Sequence, residues 1–563
     1  MCRNKQSEDK FYDAHEFQMV GAGVGGGFEN TAELHIMNYD QAMATDDKPK
    51  WEESVGAEHD RMKANKVFTP KHIKDTPEWA TVLSTTWSMK KKSNGTYRAR
   101  MVARGFEQID GEHYDEHDKS SPTVSEITTR ICFVIMLMAG FWAEILDVCG
   151  AFLLGSFKPQ HQMYIEIPKG FEKFYDKGMV LLLNKTLYGT KQAALQFWRL
   201  LLQAFKAMKY QRSKADACLQ FKWMPSGNLM MWISWIDDCA IIGEKSEVKL
   251  EKERMKQIFE CDDGGEMKEY IGVKLEMDRN RGWMRMTNPV IIQSFQDEFE
   301  LSSNAPPNPA PAGSILKRGE ENDNINKKDQ KIYRSGVGKL LHVMRWSRPD
   351  ILNRVRELSR YMAGATAHHL KEMHRVMSYC VATSARGWVL DPDMKWDGKD
   401  RNFEFIVTGK SDSDYAVEPD TRRSISGCTT FLCGAPVVCR SRMQKCVTLS
   451  VTEAEYVAGV ECAQDMLFTM RVLESMGLKV KKPMILEIDN KGAVDLANNW
   501  SVAGRTRHVA ARIAFLRELK EEGLILVQWK SSAEMSSDIF TKNVGGADFE
   551  KHAQVYVGKD EYM

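Results

Sequence analysis

The sequence predicts an α+β protein of several domains whose last part is a compact α/β unit. Three observations carry this expectation. Two apolar runs, Leu229–Trp235 and Cys239–Gly243, flank the acidic pair Asp237-Asp238, which reads as a buried β-hairpin with carboxylates at its tip. Helical sequence rich in Arg and His covers Lys331–Ser384. From Phe403 onward, short strand-like runs give way to an alternation of helix and strand. A chain of 563 residues should form more than one core, because single cores stop growing near ~250–300 residues.

The bulk composition narrows the class. Hydrophobic residues make up 43% and charged residues 28%, an ordinary folded composition. No apolar run approaches the ~20 residues of a membrane span, and the N-terminus lacks the apolar core of a signal peptide. The 12 cysteines are scattered; Cys428, Cys433, Cys439 and Cys446 cluster at spacings that fit no zinc template, so reduced thiols are expected. A net charge of +1 does not mark a nucleic-acid binder, but its distribution is uneven. Between Trp87 and Arg104 lie Lys90, Lys91, Lys92, Arg98, Arg100 and Arg104 without one acid. Such a stripe suits phosphates, although a solvated hairpin turning at Asn94-Gly95 would look the same.

The elements are expected in the following order. Residues 1–47 are weakly patterned and read as a flexible tether. Their Gly21–Gly27 segment matches GxGxxG, but no strand precedes it and no long helix follows, so a dinucleotide site is not expected. A helix runs near Pro49–Asn65 with Trp51 and Met62 inward, then the basic hairpin Trp87–Gly105, then an apolar helix at Ile127–Ala139. Asp147 ends a strand at Ala143–Val148, and Met163–Pro168 is another short strand. A helix after Thr190 places Ala194, Phe197, Leu201 and Phe205 on one side, and a charged helix spans Glu247–Phe259. Ser302–Ser314, rich in Pro and Ala, is the clearest linker. Strands follow at Phe403–Val407, Cys428–Cys433 and Val437–Arg440, then a helix at Thr452–Met476, a strand at Met484–Asp489 and a helix at Val509–Glu522. The expected divisions are 1–47, 48–285, 286–400, 401–550 and a tail at 551–563.

Acids at strand ends suit divalent metal and phosphoryl transfer. Two metals about 3.5–4 Å apart stabilise attacking and leaving oxygens together, and carboxylates hold them. Asp147 and Asp237-Asp238 meet that demand, although an isolated Asp-Asp is as often a turn. In the C-terminal unit, alternation buries Met484, Leu486 and Ile488 and turns Asp489 to the other face. Glu453 and Glu455 stand two apart on a helix, so only one of them is expected to point inward. Asp538 opens a short helix, where an N-cap role is an equal alternative.

The series Arg98-Ala-Arg-Met-Val-Ala-Arg-Gly-Phe106, Asp147-Val-Cys-Gly-Ala-Phe-Leu-Leu-Gly155, Thr186-Leu-Tyr-Gly-Thr-Lys-Gln-Ala193 and Trp235-Ile-Asp-Asp238 closely resembles the reverse transcriptase of copia-type (Pseudoviridae) LTR retrotransposons. Ser411-Asp-Ser-Asp-Tyr-Ala416, Ser450-Val-Thr-Glu-Ala-Glu-Tyr-Val-Ala458, Ile488-Asp-Asn-Lys-Gly-Ala493 and Asp538-Ile-Phe-Thr-Lys542 resemble the ribonuclease H domain that follows it. The resemblance covers residues 48–545. It implies a right-hand polymerase of fingers and palm over 48–285, a helical thumb or connection over 286–400, and a ribonuclease H-like fold.

The resemblance also implies roles. Asp147 and Asp237 would bind the metals with Asp238 beside them, and Asp412, Glu455, Asp489 and Asp538 would form the second metal site. The metal would be Mg²⁺, with Mn²⁺ as an alternative. Arg100 would meet the triphosphate. Phe152 would lie beneath the incoming sugar and exclude a 2′-hydroxyl, though a core aromatic is nearly as good a reading. Tyr188 and Gly189 would lie against the nascent base pair, with Lys191 within reach of phosphate. RNA template, DNA primer, RNA–DNA hybrid and dNTPs are the implied partners, with no membrane and with a retroelement particle or integrase as further ones. The expected location is the cytoplasm within such a particle, with the nucleus as a second. A decayed or co-opted remnant that binds nucleic acid without turnover is the alternative.

Three departures stand out. Trp235-Ile236 replaces the family's Tyr-Val, Ala194 replaces a proline, and Cys149-Gly150 stand where Lys and Thr are common. No integrase, protease or Cys-His nucleocapsid pattern is present, so the chain resembles the C-terminal part of a polyprotein.

Overall fold

The computed structural model describes residue 31 and residues 35–92, 95–158, 160–299, 301, 306–499 and 510–558. Gly21–Gly27 and Asn94 lie outside the described residues. The first half is organised around a six-stranded antiparallel sheet. Its order is Cys261–Glu266, Trp142–Val148, Asp238–Gly243, Leu229–Trp235, Leu219–Trp223 and Gln211–Arg212. One face packs on the helix Glu126–Ala139 through residues such as Ile145 and Ala240. The other packs on the helices Ala193–Ala207 and Lys245–Lys256, with Phe197, Leu201, Phe205, Val248 and Met255 against Leu146, Cys239 and Ile241. A strand covered on both faces has no polar side, which is why Leu229–Trp235 reads as a continuous apolar run.

The fingers lie beside this palm. Their hairpin pairs Thr85–Lys91 with Tyr97–Ala103. The helix Lys48–Ala64 backs it, with buried Trp51 edge-on to Tyr97 at 4.6 Å between ring centroids. A four-stranded sheet adds Phe68–His72, Met179–Leu183, Tyr164–Glu166 and Val82–Leu83.

The strands Glu269–Tyr270, Val273–Asp278 and Trp283–Thr287 lead into a helical unit, and Trp388–Leu390 returns from it to complete the same sheet. That unit comprises Pro289–Glu298, Lys327–Trp346, Leu352–Ser359 and Ala367–Ala382. A fully buried Arg348 pairs with Asp350 through two hydrogen bonds of 2.9 and 2.8 Å.

The C-terminal unit is a five-stranded sheet in the order Ala435–Met443, Ile425–Leu432, Val407–Asp414, Met484–Ile488 and Ile525–Trp529. The first three strands are antiparallel and the last two join in parallel. The helix Val451–Ser475 crosses it so closely that a Cβ on Gly409 would stand 2.5 Å from Met466 Sδ. The two halves share contacts. Arg130 of the palm helix donates to Val437 O at 2.8 Å and lies 3.9 Å over the Trp388 ring. Trp388 Nε1 donates to Pro436 O at 2.8 Å, and Trp223 Nε1 to Met476 O at 2.9 Å.

Several expected boundaries need correction. The tether over 1–47 contains a helix at Tyr39–Met43, capped by Asn38, and Met37 bridges to Met89. Within the expected linker, residues 308–310 are packed rather than free. Asn308, Pro309 and Ala310 are buried and Gly313 N donates to Asn543 O at 2.7 Å, which pins this stretch to the C-terminal unit. The tail expected from 551 begins inside the helix Gly546–Val557, whose Tyr556 is buried and meets Thr429 and Ser536 through its hydroxyl. The strand expected to end at Val407 instead starts there and runs to Asp414, so Asp412 lies within it.

Candidate active sites

The hairpin Leu229–Gly243 pairs Trp235 with Asp238, leaving Ile236 and Asp237 as a two-residue turn with Ile236 at φ 60°. Such a turn needs a left-handed residue to match strand twist. Asp238 opens the second strand opposite Asp147, and Asp262 stands opposite Asp147 on its other side. Asp147 and Asp238 are buried. Burial, and then the nearby Asp237, push the Asp147 carboxyl up to about 7, while Arg98 and Arg100 pull the other way. Burial likewise raises Asp237 against the same two arginines. Asp147 Oδ1 is buried with no hydrogen-bond partner. A buried carboxylate oxygen left open beside a second acid fits a cation.

The fingers supply the opposing charge. Residues two apart on a strand share a face, so Arg98 and Arg100 lie on one side of it, and the charges of both reach Asp147 and Asp237. Arg100 lies 5.1 Å over the Tyr188 ring, and its Nε is buried without a partner. Phe152 meets Tyr188 with 5.6 Å between centroids. Gly189 (φ 84°) is there for backbone reasons, since a Cβ would stand 2.2 Å from Ala103 O. That approach lets Ala103 N donate to Tyr188 O at 2.8 Å, which joins the fingers hairpin to the Tyr188 turn. Lys191 is set apart. Its Nζ donates to Gln108 O at 3.2 Å and Tyr114 OH at 2.8 Å, which holds it against a loop.

Sequence reasoning assigned a site role to Arg100 but none to three neighbours. Arg98 was legible from the Arg-x-Arg spacing. Lys92 was marked only as part of the basic stripe; burial and Arg98 lower its pKa, while Asp147 and Asp262 oppose that. Asp262 was hidden because Cys261–Glu266 contains little that favours a strand.

The second site is more tightly drawn. Among the described residues, Asp412, Glu455 and Asp489 form the acidic group whose ligand atoms all lie within 4.8 Å of one another. Asp412 comes from the central strand, Glu455 from the first turns of Val451–Ser475, and Asp489 from the end of Met484–Ile488. Ser413 donates to Glu455 Oε1 from its N–H at 3.1 Å and its hydroxyl at 2.9 Å, while Glu455 Oε2 is buried with no partner. Ser532 donates to Asp489 Oδ2 at 2.8 Å. Burial, then Asp412 and Asp489, push Glu455 up to about 9; burial, then Asp538, lift Asp412 to about 6. Crowded acids with raised pKa values and an open oxygen fit a divalent cation.

Two expectations here are corrected. Glu453 and Glu455 are both buried, but the Glu453 carboxylate accepts from Leu449 N at 2.8 Å, because the loop before the helix folds over that face. Asp538 lies in the middle of the turn Ser536–Phe540 rather than opening it, with Lys542 Nζ 2.9 Å from its Oδ2.

Residues 66–311 match the family described as Reverse transcriptase (RNA-dependent DNA polymerase). Over 490 residues the chain is 30% identical to the retrovirus-related Pol polyprotein from transposon TNT 1-94 of Nicotiana tabacum, covering 84% of this chain and 36% of the relative. It is 25% identical over 514 residues to that from transposon RE1 of Arabidopsis thaliana, covering 90% and 33%. The chain therefore spans about a third of the length of these relatives. A solved foamy viral protease-reverse transcriptase in complex with dsDNA superposes with a TM-score of 0.45 at 10% identity, covering 86% of this chain and 83% of that one. Residues 66–311 thus match a reverse transcriptase family, and most of the chain is similar to copia-type retrotransposon Pol polyproteins.

Proposed function

We propose that this chain polymerises DNA on RNA and DNA templates and hydrolyses the RNA strand of RNA–DNA hybrids. The observation that carries the reading is convergence. Asp147 and Asp237 share one electrostatic neighbourhood beneath Arg98 and Arg100, and Asp412, Glu455 and Asp489 gather within 4.8 Å. Asp147 and Asp237 would hold Mg²⁺ at the first site, with Asp238 behind them. Asp412, Glu455, Asp489 and Asp538 would hold it at the second, Mn²⁺ substituting at either. The metal supplies charge neutralisation for attacking and leaving oxygens.

The chain's own groups do the rest. Arg98 and Arg100 present guanidinium forks to a triphosphate, a geometry that suits phosphate better than an ammonium does. The Phe152 ring, braced on Tyr188, walls the sugar pocket where a 2′-hydroxyl would project. At the second site, Ser413 orients Glu455 and Ser532 orients Asp489, so a scissile RNA phosphate meets carboxylates already aimed. RNA template, DNA primer, hybrid and dNTPs are the proposed substrates, and a cytoplasmic retroelement particle the proposed setting.

The test is primer extension on poly(rA)/oligo(dT), with hybrid cleavage measured in parallel. Asp237→Asn should remove synthesis alone and Asp489→Asn cleavage alone. Retention of hybrid by the wild-type chain with neither activity would replace this reading with nucleic-acid binding without turnover.

A further inference from the structure

The ribonuclease H-like site carries a cation of its own. Lys542 Nζ lies 2.9 Å from Asp538 Oδ2, and the two residues are four apart on one turn. Lys542 N donates to Asp538 O at 3.1 Å, which fixes that spacing. Between them, the Thr541 hydroxyl donates to Asp412 Oδ2 and lies 3.0 Å from Asp538 O. One short segment thus delivers a carboxylate, a hydroxyl and an ammonium to the same place.

This arrangement divides the four acids. Asp412, Glu455 and Asp489 bring ligand atoms within 4.8 Å of one another, and Asp538 is not in that set. One Asp538 oxygen is committed to Lys542, while its Oδ1 is buried with no hydrogen-bond partner. The exposure is unequal: the Lys542 side chain is 43% exposed and that of Asp538 12%. A lysine at the rim on a flexible stem can withdraw into water, but the carboxylate cannot follow.

We propose that Lys542 is a positioning residue that acts as a displaceable internal cation at the second metal position. Resting on Asp538, it leaves Asp412, Glu455 and Asp489 to take one divalent ion first. A second ion enters between Asp412 and Asp538 only when the ammonium withdraws, for which the phosphate backbone of a bound hybrid is the natural counter-charge. The inference rests on reading these acids as a metal-dependent nuclease site and names the residue that sets the order of loading.

The test counts Mn²⁺ bound to the full chain by electron paramagnetic resonance, without nucleic acid. An Asp147→Asn/Asp237→Asn background removes ions held at the first site. One ion is expected in that background. At a Mn²⁺ concentration where the parent holds one ion, Lys542→Gln should admit a second, its affinity for that position raised about fivefold by loss of the ion pair. Lys542→Arg, which keeps the charge, should restore the count of one. A count of one with Lys542→Gln, or of two with Lys542→Arg, would overturn the proposal. The site reading is checked separately by adding Asp412→Asn, which should abolish the first ion. If that ion persists, the nuclease assignment fails whatever Lys542 does.

Discussion

At the ribonuclease H-like site, Asp412, Glu455 and Asp489 come from elements of one domain, and their ligand atoms already stand within 4.8 Å. At the polymerase-type site, Asp147 comes from a palm strand and Asp237 from the turn beside the adjoining one, and the charge that answers them comes from the fingers. Asp147, Asp237 and Asp238 do not form an equally tight ligand group among the described residues. The difference follows from where the rigid elements lie. A sheet with one helix across it fixes three carboxylates through its own packing. A site shared by palm and fingers leaves its last ångström to whatever draws them together, and misplacement of ~1 Å can cost ~100-fold.

The largest test of this contrast is chemical. Asp489→Asn should lower RNA cleavage by about a hundredfold or more, as loss of a preorganised electrostatic group does, and leave extension intact. Asp237→Asn should do the converse, measured by extension on a homopolymer template. Loss of both activities from either variant would mean that the sites are not separable.

Arg100→Ala should come next. Hydrogen bonds to charged groups contribute about 1.5–3 kcal/mol, so kcat/KM for dNTPs should fall roughly 10–100-fold with cleavage unchanged. An equal loss in both assays would place Arg100 in the fold rather than in the nucleotide pocket. Phe152→Val should raise ribonucleotide incorporation about tenfold relative to deoxynucleotides, the scale on which pocket shape discriminates. Unchanged discrimination would leave Phe152 as a core aromatic.

The smallest effect is on stability against pH. Asp412, Asp147 and Glu455 are raised to about 6, 7 and 9 from ordinary values of 3.8, 3.8 and 4.5. The native state then holds protons that the unfolded chain has released, so each contribution is present below the unfolded value and lost as pH rises through the folded one. Metal-free protein should therefore lose Tm progressively between about pH 4 and pH 9. Added Mg²⁺ should flatten that slope, most strongly at the alkaline end. A Tm that rises with pH in the absence of metal would contradict the crowding of acids at both sites.

Much of this was legible in the chain. The Asp237-Asp238 hairpin was plain because both faces of its sheet are covered, which strips polar residues from the strands. Spacing left Glu453 and Glu455 open and only the resemblance picked Glu455; both proved buried, because two opposite faces of a helix start can each be covered. What escaped was set by tertiary pairing. Cys261–Glu266, with two aspartates and two glycines, is a strand because the edge of Trp142–Val148 needs a partner. Lys191 looked free for phosphate, yet Gln108 and Tyr114 hold it through a loop far away in sequence. The proline-rich stretch resembled a spacer by composition, and only its hydrogen bonds to Asn543 anchor it.

The seam between the two halves has a consequence for dissection. Arg130 reaches from the palm helix to the carbonyl of Val437, and Trp388 and Trp223 each give an indole hydrogen bond to the C-terminal unit. A break near residue 400 would strip a buried guanidinium of an acceptor and bare two large rings on the N-terminal fragment. Separately expressed halves should then be sticky and poorly soluble on their own, and mixing them should restore a 1:1 heterodimer rather than two independent enzymes.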